Sequence, residues 1–435
     1  MKFSRYAFVT RKGDYGILYN CATDAVTALD SKLMDMVTAN DVLKIQSQHS
    51  DFYNFLEKEK FIVPEEEVEC DTVIARWEES EKSSRSFSLF INPTLDCNLR
   101  CWYCYEKHDK QAYMSRKVYD SVIALVRELL ETRDLMYLGF SFFGGEPFLG
   151  FDELIAPLLK DAGELCEEKG VKLAVSFVSN GTLLTDDVLE RLGNLLSGVP
   201  IHLQITLDGN RTFHDKVKRL SKTSGSYRLV LDNVFNALHR HIGVTLRFNM
   251  TSDNKDSYWD VLSDLKEVPK EDRDYLCIDL QRVWQDNASS TTDFWDVQES
   301  LRQSLRDEGF RVNGLKHIDS SRCYADQTNH VTVNYNGDLF KCTARDFTRE
   351  RREGVLKSDG TLEWNEKYRQ RSAVKYGNIV CRNCNIFPLC HGGCSQSKLE
   401  SQDNEGCIRG YSENFKRKIV EDRIDFLLET LTSNN

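Results

Sequence analysis

From Ser86 onward, short runs of apolar, β-branched and aromatic residues recur along the chain: Phe87–Ile91, Tyr137–Phe143, Leu173–Val178, Ile201–Leu207, Val244–Met250 and Leu276–Trp284. Runs of this length read as buried strands. Between them the period changes. Apolar positions three and four apart over Ser115–Arg133, Asp152–Lys169, Asp186–Leu196, Tyr227–His239 and Tyr258–Lys266 predict amphipathic helices. Thr185, followed by Asp186 and Asp187, supplies an N-cap and an acidic first turn. Six alternating strand–helix repeats predict parallel strands joined by right-handed crossovers. Eight would close a full barrel, whereas six suit an open, partial one. Reactive groups then belong on the loops at the C-terminal ends of the strands.

The flanks follow other patterns. In residues 1–65, strand-like pieces (Tyr6–Thr10, Gly16–Tyr19) precede two amphipathic stretches, Asp30–Val37 and Val42–Lys58, predicting a small α+β domain. Residues 66–85, rich in Glu and Ser, read as a linker, and the barrel occupies 86–310. In the last part, 311–435, Val331–Phe340 reads as a β-hairpin turning at Asn336-Gly337, and the chain ends in a helix.

Composition narrows the class. The 435 residues are 40% hydrophobic and 11% aromatic, with a net charge of −11. That charge argues against a nucleic-acid partner, although Lys216–Arg219 forms one small basic cluster. The charged N-terminus lacks the apolar run of a signal peptide. No segment reaches the ~18 apolar residues of a membrane span. The expectation is a cytoplasmic protein with no membrane partner.

Ten of fourteen cysteines fall into two groups, Cys97–Cys104 and Cys323–Cys407. In a reducing compartment, grouped thiols read as metal ligands rather than disulfides. The other four, Cys21, Cys70, Cys166 and Cys277, read as small buried hydrophobes. Cys97, Cys101 and Cys104 share one short loop with Trp102 and Tyr103, whose rings would crowd water away. Three thiolates can hold an iron–sulfur cube that normally takes four, leaving one iron open. A structural zinc site would instead close with four ligands, and only His108 lies nearby.

Further polar groups end the predicted strands: Gly144-Gly145-Glu146-Pro147, Ser179-Asn180-Gly181-Thr182 and Thr206-Leu207-Asp208-Gly209. Each reads equally as a turn. Arg247 and Asn249 share one face of the fifth strand, and an inward arginine needs either a salt-bridge partner or a bound anion. Downstream, Cys381-x2-Cys384-x5-Cys390-x3-Cys394 is followed after twelve residues by Cys407. A zinc ribbon would account for Cys381 and Cys384 alone.

Together these motifs resemble the radical S-adenosylmethionine (SAM) enzymes with a C-terminal SPASM extension, over roughly residues 86–410. The resemblance implies a partial (β/α)6 TIM-like barrel of α/β class, preceded by a winged-helix-like peptide-recognition domain and followed by the SPASM domain. It implies three [4Fe–4S] clusters and SAM. The first cluster would sit on Cys97, Cys101 and Cys104, its open iron chelating SAM. Tyr103, Gly144, Gly145, Glu146, Asn180, Thr206, Arg247 and Asn249 would contact SAM, with Glu146 at its amino group. Relatives often place an arginine where this chain has Lys218, followed by Arg219. Cys323, Cys342 and Cys394 would hold a first auxiliary cluster. Cys381, Cys384, Cys390 and Cys407 would hold a second. Sulfatase-maturing relatives carry an extra cysteine soon after the position of Cys323, and Tyr324–Gln327 has none. The resemblance implies a maturase that abstracts hydrogen from a ribosomally made precursor peptide and forms a thioether, C–C or C–O crosslink. Its electron donor would be a flavodoxin or ferredoxin. The alternatives are a formylglycine-forming sulfatase-maturing enzyme and a non-catalytic iron–sulfur scaffold.

Overall fold

The structure, a computed structural model, describes residues 1–286, 292–313, 322–401 and 406–433. It divides into two compact units, one of Ser84–Asn313 with Gln327–Tyr368, the other of Met1–Ser83, Gly314–Asp326 and Arg369–Asn435.

The first unit is built on one large sheet. Its strands β1 (Ser86–Ile91), β2 (Tyr137–Phe142), β3 (Lys172–Ser179), β4 (Ile201–Leu207), β5 (Gly243–Met250) and β6 (Leu276–Arg282) are parallel and lie in chain order. The helices between them are Arg116–Thr132, Ala156–Lys169, Asp186–Leu195, Tyr227–His239 and Tyr258–Leu265. The Thr185 side chain caps the third, accepting from the Val188 N–H. Alternate residues of β3 are buried, so the strand turns one face to the core formed with Leu158, Leu159, Leu189 and Leu192. The sheet continues at both edges. β7 (Arg311–Val312) adds to β6, and β8 (His330–Val333) pairs in parallel with β1. Antiparallel β9 (Asp338–Phe340), β10 (Gly354–Leu356) and β11 (Leu362–Trp364) follow. The hairpin read from Val331–Phe340 therefore extends the barrel's own sheet rather than opening a separate C-terminal domain at 311.

The second unit joins the two ends of the chain. Strands Ala7–Lys12, Tyr15–Asn20 and Ala25–Leu29 form an antiparallel sheet whose central strand is buried on both faces. Leu18 and Leu29 face a core made with Met36, Val37, Ile45, Leu56 and Phe61. Ile17, Tyr19 and Cys21, one residue out of phase, face Ile386, Phe387, Leu389, Ile419, Val420 and Ile424. Residues 1–65 thus share a core with the C-terminal segment. The expected helix over Val42–Lys58 is broken at His49 into Val42–Gln48 and Ser50–Lys58. The expected linker, 66–85, contains the helix Glu69–Lys82, which buries Cys70 and Val73 in that core. Its charges misled the reading because they cover the solvated face around a short apolar stripe. Of the four scattered cysteines, Cys21, Cys70 and Cys166 are buried, whereas Cys277 is half-buried, its thiol 3.1 Å from Asn313 Oδ1.

Candidate functional site

The loop that follows β1 carries Cys97, Cys101 and Cys104, and hydrogen bonds from the ends of β2, β3, β5 and β6 hold it. After β2, the Glu146 N–H donates to Asp96 O at 2.8 Å and the Gly145 N–H to Glu106 Oε2 at 2.6 Å. After β3, Asn180 Nδ2 donates to Asn98 Oδ1 and Asn98 Nδ2 to Thr182 Oγ1, both at 2.8 Å. From β5, Asn249 Nδ2 donates to the Tyr103 hydroxyl at 3.1 Å, and after β6 Gln285 Nε2 donates to Tyr103 O at 2.6 Å. Asp208, beyond β4, lies close enough to the Tyr103 hydroxyl to act on it electrostatically. The polar strand ends that read as simple turns are therefore ties to one loop. Asn98, Glu106, Asp208 and Gln285 escaped the sequence reading because they match no motif spacing. A Glu two residues past the third cysteine of the loop was the one available signal.

Glu146 is wholly buried, and burial pushes its carboxyl up to about 7. Oε1 accepts from Ser179 Oγ at 2.9 Å and from the Phe148 N–H at 3.2 Å, while Oε2 accepts from the Asn180 N–H at 2.8 Å. Glu106 is likewise raised to about 7 by burial. Gly144 (φ +84°) and Gly145 (φ +51°) have left-handed backbones that press on residues 92–96. The two glycines let this loop pack directly against residues 92–96.

Thr206 and Lys218 meet at the end of β4. The Lys218 ammonium donates to Thr206 O at 2.7 Å and to Thr206 Oγ1, and pairs with Asp208 Oδ2 at 3.0 Å. Lys218 and Asp208 are each 1% exposed, so of the small basic cluster Lys216–Arg219 only Lys216 and Arg219 present their charges to solvent. His214, buried beneath them, is held well below the usual histidine range by burial and by Lys218, and so is neutral. Arg247 lies between Thr206 and Asp279 in the strand register, and its Nε donates to Asn249 Oδ1 at 3.1 Å. Among the described residues no carboxylate comes within ion-pair distance of it. Tyr103 turns inward, but Trp102 is 58% exposed and shields nothing from water.

The three loop cysteines lie within electrostatic reach of one another, and burial raises the Cys97 thiol to about 12 and the Cys104 thiol to about 11. The Leu99 N–H points at Cys97 Sγ from 3.4 Å. In the other unit, Cys381 lies within the same reach of Cys384, Cys390 and Cys407. Cys394 caps the helix Ser395–Glu400, and Cys323 is exposed. Cys342 belongs to the barrel unit, just beyond β9. No three Cys, His, Asp or Glu side chains among the described residues converge on a single ion. A cubane asks for something else, thiols spread around a shared volume, each on a different iron.

Residues 91–265 match the model of the Radical SAM superfamily. The chain carries a radical SAM domain and is an enzyme of that class, whose domain implies a [4Fe–4S] cluster and SAM. It is similar to the cysteine-type anaerobic sulfatase-maturating enzyme of Clostridium perfringens, 24% identical over 360 residues, 76% of this chain and 94% of that one. It is also similar to the radical SAM cyclopropyl synthase TigE of Paramaledivibacter caminithermalis, 23% identical over 329 residues, 68% of this chain and 65% of that one. Among solved structures, anSMEcpe with bound AdoMet and Cp18Cys peptide superimposes with a TM-score of 0.58 at 17% identity, over 80% of this chain and 98% of its own. Streptococcus suis SuiB bound to precursor peptide SuiA gives 0.51 at 15% identity, over 94% and 100%. The α/β fold with its large central sheet is that of these neighbours. No helix among the described residues is long and apolar enough to cross a membrane.

Proposed function

We propose that this enzyme modifies a ribosomally made precursor peptide, abstracting hydrogen from one residue and closing an intramolecular crosslink. The observation that carries this reading is coverage: the fold of SuiB, in complex with a precursor peptide, spans 94% of this chain, whereas anSMEcpe spans 80%. The added length is what a peptide-recognition element needs. Formylglycine formation on a sulfatase is the second reading, favoured by the sequence similarity to the C. perfringens maturase over 76% of the chain.

When bound at Cys97, Cys101 and Cys104, a [4Fe–4S] cluster supplies the electron that cleaves SAM to methionine and a 5′-deoxyadenosyl radical. The chain's own residues prepare that place. Thr206, fixed by the Lys218 ammonium, and Arg247, with no carboxylate partner, offer a hydroxyl and a cation to the SAM carboxylate. Asn180 and Asn249 are tied to the cysteine loop through Asn98 and Tyr103, and by the family resemblance Asn180 would face the ribose. Glu146 holds the ends of β2 and β3 together, and by the family resemblance its carboxylate would meet the methionine amino group. Cys323, Cys342 and Cys394, and separately Cys381, Cys384, Cys390 and Cys407, would hold two auxiliary clusters, which would take up the electron released when the crosslink closes. A flavodoxin or ferredoxin supplies the first electron.

Anaerobic reconstitution should give ~12 irons, as three cubanes require. The Cys97/Cys101/Cys104→Ala variant should lose about a third of them and all SAM cleavage. Incubation with a short peptide encoded beside the enzyme, read by mass spectrometry, should show loss of two hydrogens. A sulfatase-derived peptide converted to formylglycine instead would establish the second reading.

A further inference from the structure

Strands β6 and β9 stand far apart in the sheet of the barrel unit, with β5, β4, β3, β2, β1 and β8 between them. The segments that follow them nevertheless meet. The guanidinium of Arg345, between β9 and β10, lies over the ring of Trp284, just beyond β6, 5.0 Å from its centroid. Tyr105, next to Cys104, sets its ring against the same indole with centroids 6.0 Å apart. Its hydroxyl donates to Thr343 O at 2.7 Å. The curl of the sheet thus brings its two flanks together against the cysteine loop, in a clasp of three side chains. Trp284 is nonetheless 57% exposed. We infer that this clasp grips the substrate peptide. Trp284 takes an aromatic or branched aliphatic side chain of the peptide, close to the residue that loses hydrogen, an inference that rests on the peptide reading above.

The indole is held but not covered. Arg345 and Tyr105 fix its orientation before anything binds, and the Tyr105 hydroxyl is itself fixed to backbone. A partner that lies on a ring ordered in advance loses less conformational freedom on binding. Such aromatic anchors carry most of the energy of an interface. The place of the clasp identifies its occupant. Gln285, the neighbour of Trp284, donates to Tyr103 O at 2.6 Å, and Tyr105 adjoins Cys104, so whatever rests on the indole lies beside the loop assigned to the first cluster. The groups assigned to SAM come from the cysteine loop and from β2 to β5, whereas the clasp joins β6 to the opposite flank of the sheet. The cation already stacked on the indole disfavours a basic side chain there, which leaves aromatic and aliphatic ones. Arg345 is then a positioning residue, acting on the peptide through Trp284.

The test uses the full chain, reconstituted anaerobically, and the short peptide encoded beside the enzyme, labelled with fluorescein and titrated by anisotropy. Trp284→Ala should raise the peptide Kd by about tenfold, and Trp284→Phe by less, with iron content and thermal midpoint compared in every variant. Alanine substitution along the peptide should find one aromatic or aliphatic position whose loss weakens binding to the native enzyme but not to Trp284→Ala. Arg345→Met should likewise weaken binding in the native enzyme and add nothing in Trp284→Ala, because it acts through the indole. Native affinity in a folded Trp284→Ala variant would overturn the clasp. So would peptide substitutions that all add to the loss in Trp284→Ala. A weaker SAM affinity with unchanged peptide affinity would refute it too, by giving the indole to the cofactor. A native enzyme at full iron that neither binds nor modifies the peptide would instead overturn the peptide reading itself.

Discussion

A Cβ built on Gly145 would lie 2.0 Å from the carbonyl oxygen of Asp96, inside the loop that carries the first three cysteines. Contact so short with backbone cannot be relieved by a side-chain rotation. At Gly144 the corresponding atom meets the Asn92 side chain at 2.9 Å. Gly145→Ala should therefore displace the cysteine loop, abolishing 5′-deoxyadenosine formation and lowering bound iron by about a third. Gly144→Ala should do less, because a side chain can yield. Equal activity in the two variants would show that the loop tolerates the clash.

The Asp208–Lys218 pair gives a second prediction. Removing one partner of a buried pair strands the other charge, at a cost of about 3–5 kcal/mol. Lys218→Met should lower the denaturant midpoint by that scale, and Asp208→Asn with Lys218→Met should recover much of it. A double variant as unstable as the sum of the singles would show that the pair is not coupled.

His330, buried against Phe90, concerns pH. Burial and Lys341 push its imidazole down to about 3. The unfolded chain protonates near 6.5, so between the two values the unfolded state binds more protons and stability falls as pH falls. The slope is about 1.4 kcal/mol per unit at most. Unfolding of the native protein and of His330→Gln, followed from pH 7 to 4, should show the acid-dependent loss shrink in the variant. Parallel curves would mean that His330 titrates alike in both states.

Ile17 probes the core shared by the two ends of the chain. It is 7% exposed and belongs to the cluster containing Ile386, Phe387 and Leu389, which flank Cys384 and Cys390. Ile17→Ala should cost about 2–5 kcal/mol. It should also loosen the iron proposed for Cys381, Cys384, Cys390 and Cys407 while sparing that proposed for Cys97–Cys104. Unchanged iron retention during a chelator challenge would separate the N-terminal sheet from the auxiliary-cluster segment.

Local pattern determined the barrel. All six strands and the five helices expected between them lie within a few residues of where periodicity puts them, because a strand covered on both faces must be apolar and a crossover helix must be amphipathic. The cysteine spacing and Gly144-Gly145-Glu146 were equally legible, since neighbours in sequence share one loop. What tertiary structure decided is which distant groups meet. Nothing near Glu106 announces Gly145, nothing near Thr206 announces that Lys218 will be buried against it, and nothing in the first 83 residues announces Ile386 and Ile424. A charged stretch such as 66–85 has only one buried stripe to reveal its helix, and that stripe carries meaning only once a partner surface covers it. Burial is a property of the assembled chain, so the elements could be read from the sequence but their partners could not.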